Sequence, residues 1–459
     1  MKFLARFPAV RILTTLWIWV ACVVEVCGQE PHGFFLNDFQ AKQAMIPRSV
    51  PAEKPTADAT VKLRVDIEDT VSRVSRYVYG HNANVYMTQM VDQQPLLDRI
   101  ISLDPHVIRF PGGNLSSVFF WNAEKGQPPA DAPDQLVDAN GNSIPPGYWY
   151  GKNAEGWTLS VENYYKMLDL TGNSGIITIN YAYARYSTAD DPVAAAAHLA
   201  ADWVRYDDGR TKFWEIGNES NGTWQAGFRI KTADNKDNQP EIISGALYGQ
   251  HFKVFADSMR KAAAETGAEI FIGAQLLAEP PASWWNNTDK NWNNGVFQQA
   301  ENAPDFYIIH SYYTPYATNS TAASVLASAT GVTADLIEFV NNSQQQAGVT
   351  NKPVALTEWN IFAEGSKQQA SYINGMHAAM VLGELIKNGY GLACRWDLAN
   401  GWSNGNDHGI FNNGDEPGGV PRWNPRAPYY YMVYFQRYFG DLMVETDVTG
   451  SDDVRAYAS

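Results

Sequence analysis

The chain has 459 residues and a formal net charge of −15 at neutral pH. Such an acidic chain is a poor partner for nucleic acid or for an anionic membrane surface. Hydrophobic residues make up 45% of the sequence and aromatic residues 13%, which supports a large core and leaves aromatic side chains for a binding cleft. The length fits a barrel of about 250 residues or more together with an accessory module.

Residues 1–28 have the pattern of a secretory signal peptide. Basic residues precede an apolar stretch at 12–24, and the small-residue site Val26-Cys27-Gly28 would allow cleavage before Gln29. We therefore expect a secreted or periplasmic protein, with an uncleaved membrane anchor as the alternative. Cleavage would leave Cys394 as the last cysteine, so the mature chain could form no internal disulfide.

The rest of the chain divides into three predicted parts. Residues 29–60 are rich in Pro, Ala and charge, which indicates a linker or wrapping segment. Residues 61–425 form the predicted catalytic barrel, although the alternating pattern at Val61–Asp66 is typical of a strand in a side β-module. Residues 426–459 are interpreted as the start of a C-terminal β-module, so we expect that the module is truncated.

Strand-like and helix-like segments alternate through the barrel region, which predicts a parallel sheet with helical cover. The predicted strands are Tyr77–Asn82, Val107–Phe110, Ile176–Asn180, Phe213–Gly217, Ile270–Gly273, Phe306–His310, Val354–Thr357 and Gly391–Trp396. The predicted helices are Pro95–Leu103, Glu162–Leu170, Pro192–Val204, Gly245–Thr266, Ala334–Gln346 and Ser371–Lys387. This order is typical of an α/β protein with a (β/α)₈ TIM barrel.

An aromatic insert at 115–158 interrupts the barrel pattern. Within it, Asp138–Asn142 resembles part of a calcium loop but lacks the remaining ligands, which favours a hairpin turn. The aromatic residues of the insert suit a long binding cleft.

Two glutamates, Glu219 and Glu358, each follow or end an apolar run that predicts a buried strand. Parallel barrels build their active sites at the carboxyl ends of their strands, so both side chains should meet on one rim. Two carboxyl groups at one site are the minimum for cleaving a glycosidic bond. In this interpretation Glu219 is the acid and base, with a pKa raised by its neighbour, and Glu358 is the nucleophile.

Polar residues beside these carboxyl groups complete the predicted site. Asn218 can donate a hydrogen bond to the sugar 2-hydroxyl, and Arg109, at the end of the second strand, can hold the ionised Glu358. His310 and Tyr312, at the end of the sixth strand, can supply further hydrogen bonds. No Cys or His cluster has zinc spacing, so we expect neither a metal nor another cofactor.

The motifs around these residues resemble a known group of enzymes. Trp214–Glu219 and Thr357-Glu358-Trp359 resemble the clan A glycoside hydrolases, which have the (β/α)₈ fold. Arg109–Asn114 and Tyr79-Gly80-His81 resemble the second and first strands of glycoside hydrolase family 51, whose members are arabinofuranosidases and some endoglucanases. The likeness spans about residues 61–402. It implies a retaining mechanism with Glu219 as acid/base and Glu358 as nucleophile.

The resemblance also implies roles for sugar-binding residues. Asn114 would contact the sugar next to the cleaved bond, together with Arg109 and Asn218, and Trp396 would form an aromatic platform beneath it. One position departs from the family pattern: Asn84 stands where arabinofuranosidases place a furanose-binding glutamate. This departure weakens the case for arabinofuranosidase activity and leaves the retaining mechanism intact.

The sequence therefore predicts a secreted retaining glycoside hydrolase that cleaves a β-linked polysaccharide by endo-action. An exo-acting α-L-arabinofuranosidase is the alternative within enzymes. A non-catalytic carbohydrate-binding barrel is the alternative of another class. The expected partner is a polysaccharide or oligosaccharide, and the sequence leaves the sugar, its linkage and the oligomeric state open.

Overall fold

The computed structural model describes residues 31–43, 45–54 and 56–459, so the predicted signal peptide lies outside the described residues. In this part of the chain, eight parallel strands close into a barrel in chain order, and the last strand pairs with the first. The strands are Gly80–Asn82, Val107–Phe110, Ser174–Ile179, Phe213–Ile216, Phe271–Gln275, Phe306–Tyr312, Val354–Asn360 and Leu392–Arg395. The predicted TIM barrel is confirmed.

The first barrel strand is shorter than its apolar run suggests. Residues Arg76–Tyr79 form a 3₁₀ helix, whose start is capped by the side chain of Ser75 accepting a hydrogen bond from the Tyr77 amide. A local side-chain cap thus replaces the first half of the predicted strand.

Helices surround the barrel on its outer side. They are Gln94–Leu103, Val161–Thr171, Tyr183–Tyr186, Pro192–Asp207, Gly245–Thr266, Asn287–Ala300, Ala322–Ala347, Tyr372–Lys387 and Ala427–Tyr438. Sequence patterns missed Asn287–Ala300, because its many Asn and Gln residues have modest helix propensity, and its start depends on a cap from Asn286.

The last helix changes the predicted domain boundary. Ala427–Tyr438 lies in the segment assigned to a C-terminal β-module, yet it packs on Tyr372–Lys387 and on Gln94–Leu103. It therefore closes the helical ring between the last and first units of the barrel. The run of aromatic residues in this segment obscured the hydrophobic periodicity by which an amphipathic helix is recognised in a sequence.

Helix Ala322–Ala347 is long and apolar enough to cross a membrane by length and composition alone. In the structure it packs against helix Tyr372–Lys387 and buries Val325, Ala329 and Leu336. A helix that covers a barrel core meets the same compositional test.

The two ends of the described chain form a small sheet. Strand Lys62–Arg73 pairs antiparallel with Leu442–Thr449, with Lys62 opposite Thr449. Segments before and after the barrel thus meet in one antiparallel pair, and the β-rich accessory module that the sequence assigned to them stays a prediction.

The predicted linker contributes a plug to the amino-terminal end of the barrel. In the 3₁₀ helix Gly33–Leu36, the ring of Phe34 stacks on Phe271 at 3.8 Å between centroids, and Phe35 is only 1% exposed. Phe35 joins a cluster formed by the first residues of several strands: Val107, Phe213, Phe306, Ala355 and Leu392, together with Tyr77 and Cys394. Phe34 and Phe35 therefore belong to the barrel core.

The insert at 115–158 is ordered by two small strand pairs. Phe119–Phe120 pairs with Trp149–Tyr150, and Leu136–Val137 pairs with Ser143–Ile144. Asp138 accepts hydrogen bonds from the amides of Asn140 and Asn142, which gives the hairpin turn that the sequence favoured. A further short pair, Ala399–Asn400 with Phe411–Asn412, shapes the loop after the last barrel strand.

Candidate active site

The two predicted catalytic glutamates meet at the carboxyl end of the barrel. Glu358 lies in the seventh strand and Glu219 lies just beyond the fourth. One oxygen of each carboxyl group and a ring nitrogen of His310 lie within 4.8 Å of one another. Retaining glycosidases hold their carboxyl groups about 5–5.5 Å apart, whereas inverting enzymes need about 6.5–9.5 Å. Because the nearest oxygens lie no more than 4.8 Å apart, the arrangement favours a double-displacement mechanism over an inverting one.

A bulge brings Glu358 into the barrel. Leu356 pairs with Ile309, but Glu358 rather than Thr357 pairs with His310, so the register shifts by one residue. Because side chains alternate along a strand, this shift turns Glu358 toward the interior that Ala355 also faces.

Glu219 sits on a strained turn. Its φ is +44°, a backbone conformation that residues other than glycine rarely adopt. The turn begins at Gly217, with φ +85°, where a Cβ atom would lie 2.6 Å from the Ser220 hydroxyl. The Ser220 amide donates to Gln275 Oε1 at 2.7 Å, and this bond holds the turn in place.

Arg109 is the centre of a fully buried polar network. Its Nε donates to Glu215 at 2.6 Å, and one terminal nitrogen donates to Asn82 at 2.9 Å and to Glu358 at 3.2 Å. The other terminal nitrogen donates to Asn218 at 2.8 Å. The guanidinium thus fixes the nucleophile candidate and the amide beside the acid candidate in one rigid arrangement.

The amide nitrogen of Asn218 is buried and has no hydrogen-bond partner among the described residues. Arg109 holds its amide oxygen, so the free donor has a set direction. A buried amide donor without a partner is costly, and an entering ligand oxygen would satisfy it.

The two carboxyl groups have different donors. Glu358 accepts a hydrogen bond from the Tyr312 hydroxyl at 2.6 Å in addition to the one from Arg109. Glu219 contacts His310 Nδ1 at 3.0 Å and accepts a hydrogen bond from the Trp224 indole at 3.0 Å. Of the two predicted catalytic carboxyl groups, Glu358 is therefore the one in direct contact with the permanent charge of Arg109.

The electrostatics differ from the sequence expectation. Burial raises the pKa of Glu358 above its ordinary value, and the nearby Glu219 adds to this, against the opposing effects of His310, Arg109 and Tyr312. Burial also favours neutral Glu219, but the hydrogen bond and charge of His310, the hydrogen bond from Trp224 and the charge of Arg109 together outweigh it and hold the pKa of Glu219 below its ordinary value.

This order is the reverse of the one expected for an acid at Glu219 and a nucleophile at Glu358. The two groups titrate as a pair, so the proton needed for the first chemical step belongs to the pair. His310 contacts both carboxyl groups, at 3.0 Å and 3.8 Å, and is the residue that biases the proton between them.

The structure places the remaining predicted sugar-binding residues at different depths. Trp396 is 9% exposed, and a Cβ atom on Gly113 would lie 2.7 Å from its ring, so the glycine pair of the second-strand motif makes room for the platform. Asn114 is exposed and accepts a hydrogen bond from Gln225 at 2.8 Å. It joins the loops that follow the second and fourth strands.

Asn84 is hydrogen-bonded to the segment after the last barrel strand. It is fully buried, and its amide donates to Asp397 and to the Ala399 carbonyl, both at 2.8 Å. Its amide donors are thus used within the protein, and a sugar contact by Asn84 stays a prediction. Burial raises the pKa of Asp397 well above its ordinary value, and the charges of Asp407 and Glu358 add to the effect.

Sequence reasoning missed three residues that shape the site. Glu215 forms the closest ion pair of Arg109, and Asn82 accepts a hydrogen bond from the same guanidinium. The Trp224 indole donates a hydrogen bond to Glu219. The two-residue alternation Phe213, Glu215 along one strand is the signal that could have placed Glu215 inside the barrel.

Glu219, His310 and Glu358 also have the spacing of a metal-binding group. Arg109 lies 3.2 Å from Glu358, and its fixed positive charge opposes a divalent cation at this place. The absence of a metal stays a sequence expectation.

Comparisons with known proteins agree with this geometry. Residues 99–306 match the model of the alpha-L-arabinofuranosidase 1 domain. An intracellular exo-alpha-(1->5)-L-arabinofuranosidase of Bifidobacterium longum is 24% identical over 337 residues, which cover 67% of this chain and 54% of that protein. The chain thus spans about half the length of this curated relative.

Solved structures share the fold. A family 51 alpha-L-arabinofuranosidase from Bifidobacterium longum superposes with a TM-score of 0.58 at 16% identity, over 86% of this chain and 79% of that one. An alpha-L-arabinofuranosidase from Thermotoga maritima, in complex with arabinose, gives a TM-score of 0.56 at 19% identity, over 84% and 76% of the two chains.

The prediction of a secreted or periplasmic protein is contradicted. All three curated relatives, from Bifidobacterium longum, Streptomyces lividans and Acetivibrio thermocellus, are named intracellular enzymes. A basic start followed by an apolar stretch was the signal that led to the prediction, and those residues lie outside the described part of the chain.

The retaining arrangement of Glu219 and Glu358, the domain match and the shared barrel agree with one another. The chain is similar to clan A glycoside hydrolases of family 51.

Proposed function

We propose that this chain is a retaining α-L-arabinofuranosidase, which removes terminal arabinofuranosyl residues from a larger carbohydrate. The observation that carries the proposal is the pair of carboxyl groups, Glu219 and Glu358, with oxygens within 4.8 Å at the end of a barrel that matches an arabinofuranosidase domain. The names of the curated relatives support the same substrate class.

In the first step a Glu358 oxygen attacks the anomeric carbon, and the bond from that carbon to the leaving oxygen breaks. Glu219 donates its proton to the leaving oxygen, which departs as an alcohol. Arg109 and Tyr312 hold the attacking carboxylate in one orientation, so little reorganisation is needed.

In the second step water attacks the anomeric carbon of the glycosyl-enzyme, the bond from that carbon to the Glu358 oxygen breaks, and Glu219 accepts the proton of that water. Glu358 has lost its negative charge by ester formation, so the neighbouring charge that opposed ionisation of Glu219 is gone. The low pKa that His310 imposes on Glu219 also suits its ionised form, which is the one required here.

Endo-action on a β-linked polysaccharide is the second candidate. Asn84, at the place of a furanose-binding glutamate, is buried against Asp397, and this favours a sugar other than arabinofuranose. The exposed Trp224 beside Glu219 favours a cleft that accommodates more than one sugar residue.

An activity screen separates the candidates. The protein is incubated with an aryl α-L-arabinofuranoside, arabinan, arabinoxylan and a β-glucan, and the products are sized, with Glu358→Gln as the inactive control. We expect free arabinose with little fall in polymer length. Rapid shortening of a polymer without free arabinose would replace the proposal by the second candidate, and binding without any product would support a non-catalytic barrel.

A further inference from the structure

An exposed tryptophan lies on the loop after the fifth barrel strand. The side chain of Trp284 is 83% exposed, far above the usual value for so large an apolar group. The loop leaves the carboxyl end of strand Phe271–Gln275, on the same face of the barrel as the catalytic pair.

This loop is tied at both ends to the turn that carries Glu219. At its start, Gln275 accepts from the Ser220 amide at 2.7 Å and donates to Asn221 at 2.6 Å. At its end, Asp289 accepts from the same Asn221 at 2.8 Å. Trp284 therefore lies on a loop from Gln275 to Asp289, here called the arch, whose two ends are hydrogen-bonded to the turn that carries Glu219.

A cavity of about 110 Å³ lies at the foot of the arch. Its lining consists of Glu219, Asn221, Trp224, His310 and residues 275–278. Glu219 is the carboxyl group that protonates the leaving oxygen, so the cavity lies on the leaving-group side of the cleaved bond.

The shape of the arch is held by internal contacts. The Trp285 amide donates to the Ala282 carbonyl at 3.1 Å, and Lys290 donates to the Ser283 carbonyl at 2.8 Å. The Trp284 and Trp285 rings meet edge to face at 6.1 Å. The exposed ring is thus presented by a tethered loop.

We propose that Trp284 is a stacking platform for the leaving-group part of a carbohydrate chain, beyond the sugar that fills the cavity beside Glu219. The inference rests on the proposed glycosidase function. Ala278 lines the cavity beside Glu219 and Trp284 does not, although it lies only six residues further on, a reach of at most about 22 Å. The ring is therefore placed to serve a sugar residue beyond the one in the cavity. The substrate is accordingly an oligosaccharide or polymer with at least two sugars beyond the cleaved bond.

The physical basis is the amphipathic character of both partners. A tryptophan face is apolar and rigid, and it covers the C–H face of a sugar ring while the sugar hydroxyl groups stay hydrated. Binding energy gained far from the reacting bond improves turnover of long substrates and does nothing for short ones.

The test compares wild type with Trp284→Ala on two substrates. For a linear arabino-oligosaccharide of several residues we expect kcat/KM to fall about three- to tenfold, mainly through KM. For an aryl α-L-arabinofuranoside, which ends at the first leaving-group position, we expect kcat/KM within about twofold of wild type. Tyr434→Ala is the control, since Tyr434 is 59% exposed on the outer helix Ala427–Tyr438.

A binding measurement keeps the outcomes distinct. Migration is compared in native gels that contain arabinan or arabinoxylan, where we expect retardation of wild type and of Tyr434→Ala, and less retardation of Trp284→Ala. Equal retardation of all three, no retardation of any, or equal kinetic losses on both substrates would overturn the platform. Activity on neither substrate, with retardation that depends on Trp284, would instead refute the proposed arabinofuranosidase and leave the platform standing.

Discussion

The two ends of the barrel are formed by the same strands, but one is filled by apolar side chains and the other by charged ones. At the amino-terminal end, Phe35 fills the interior against Phe213 and Phe306, with ring centroids 5.0 Å and 5.5 Å away. At the carboxyl end, Arg109 and Glu215 fill the same interior with a buried ion pair. Apolar burial stabilises the fold, whereas buried charges cost solvation free energy and are tolerated where they place reactive groups.

One strand shows the change within a few residues. Phe213 belongs to the apolar plug, Glu215 lies two positions on and pairs with Arg109, and Glu219 follows on the strained turn. Substitutions at the plug should therefore change stability and leave chemistry intact, and substitutions at the rim should do the reverse.

The largest effect is expected at the rim. Glu219→Ala removes the proton donor, so kcat on a natural glycan should fall on the order of 10²- to 10⁴-fold. A substrate with a good leaving group needs less protonation and should lose less, and added azide should restore turnover by attacking the glycosyl-enzyme. Steady-state kinetics on both substrates measures this, and equal losses on the two without rescue by azide would remove Glu219 from the acid/base role.

At the plug, Phe35→Ala should lower the free energy of unfolding by about 3–5 kcal/mol, because it leaves a cavity in a closed apolar end. Below the melting transition, kcat/KM should match wild type. Denaturant unfolding and kinetics measure the two properties, and Phe39→Ala, at a half-buried position just outside the plug, is the milder control. A lowered kcat with unchanged stability would contradict the separation of the two ends.

The pH profile sharpens the roles at the rim. The hydrogen bond and charge of His310 lower the pKa of Glu219, and a general acid must be protonated to work. His310 also lowers the pKa of Glu358, so His310→Gln should raise both pKa values and move both limbs of kcat/KM to higher pH. An alkaline limb of the kcat/KM profile that stays in place or moves to lower pH in His310→Gln would show that another group donates the proton.

A smaller change is expected at Tyr312. Its hydrogen bond lowers the pKa of Glu358, and the nucleophile must be ionised. Tyr312→Phe should raise that pKa. Because Glu358 already has the higher pKa of the coupled pair, the alkaline limb should move to higher pH, while kcat on the plateau should fall about tenfold or less. Profiles measured beside His310→Gln would show whether only His310→Gln also moves the acidic limb.

The sequence predicted the barrel because buried parallel strands are continuous apolar runs, and helix Gly245–Thr266 agrees with its amphipathic pattern to the residue. It also found Glu219 and Glu358, because each stands at the end of such a run. These features are local, so a single chain carries enough information for them.

Other features depend on contacts between distant residues. The bulge at Thr357 turns Glu358 inward, and simple alternation from Ala355 would place Thr357 there instead. The pairing of Asn84 with Asp397 joins residues 313 positions apart. The order of pKa values at Glu219 and Glu358 depends on the distance to His310, which no sequence pattern contains.

The central claim is that Glu358 forms a covalent glycosyl-enzyme while Glu219 supplies and removes the proton. Incubation with a 2-deoxy-2-fluoro glycosyl fluoride of the arabinofuranosyl series, followed by proteolysis and mass spectrometry, tests it directly. The account predicts one adduct, on the peptide that contains Glu358, and none in Glu358→Gln. An adduct on Glu219, or hydrolysis of substrate with inverted stereochemistry and no adduct, would contradict it.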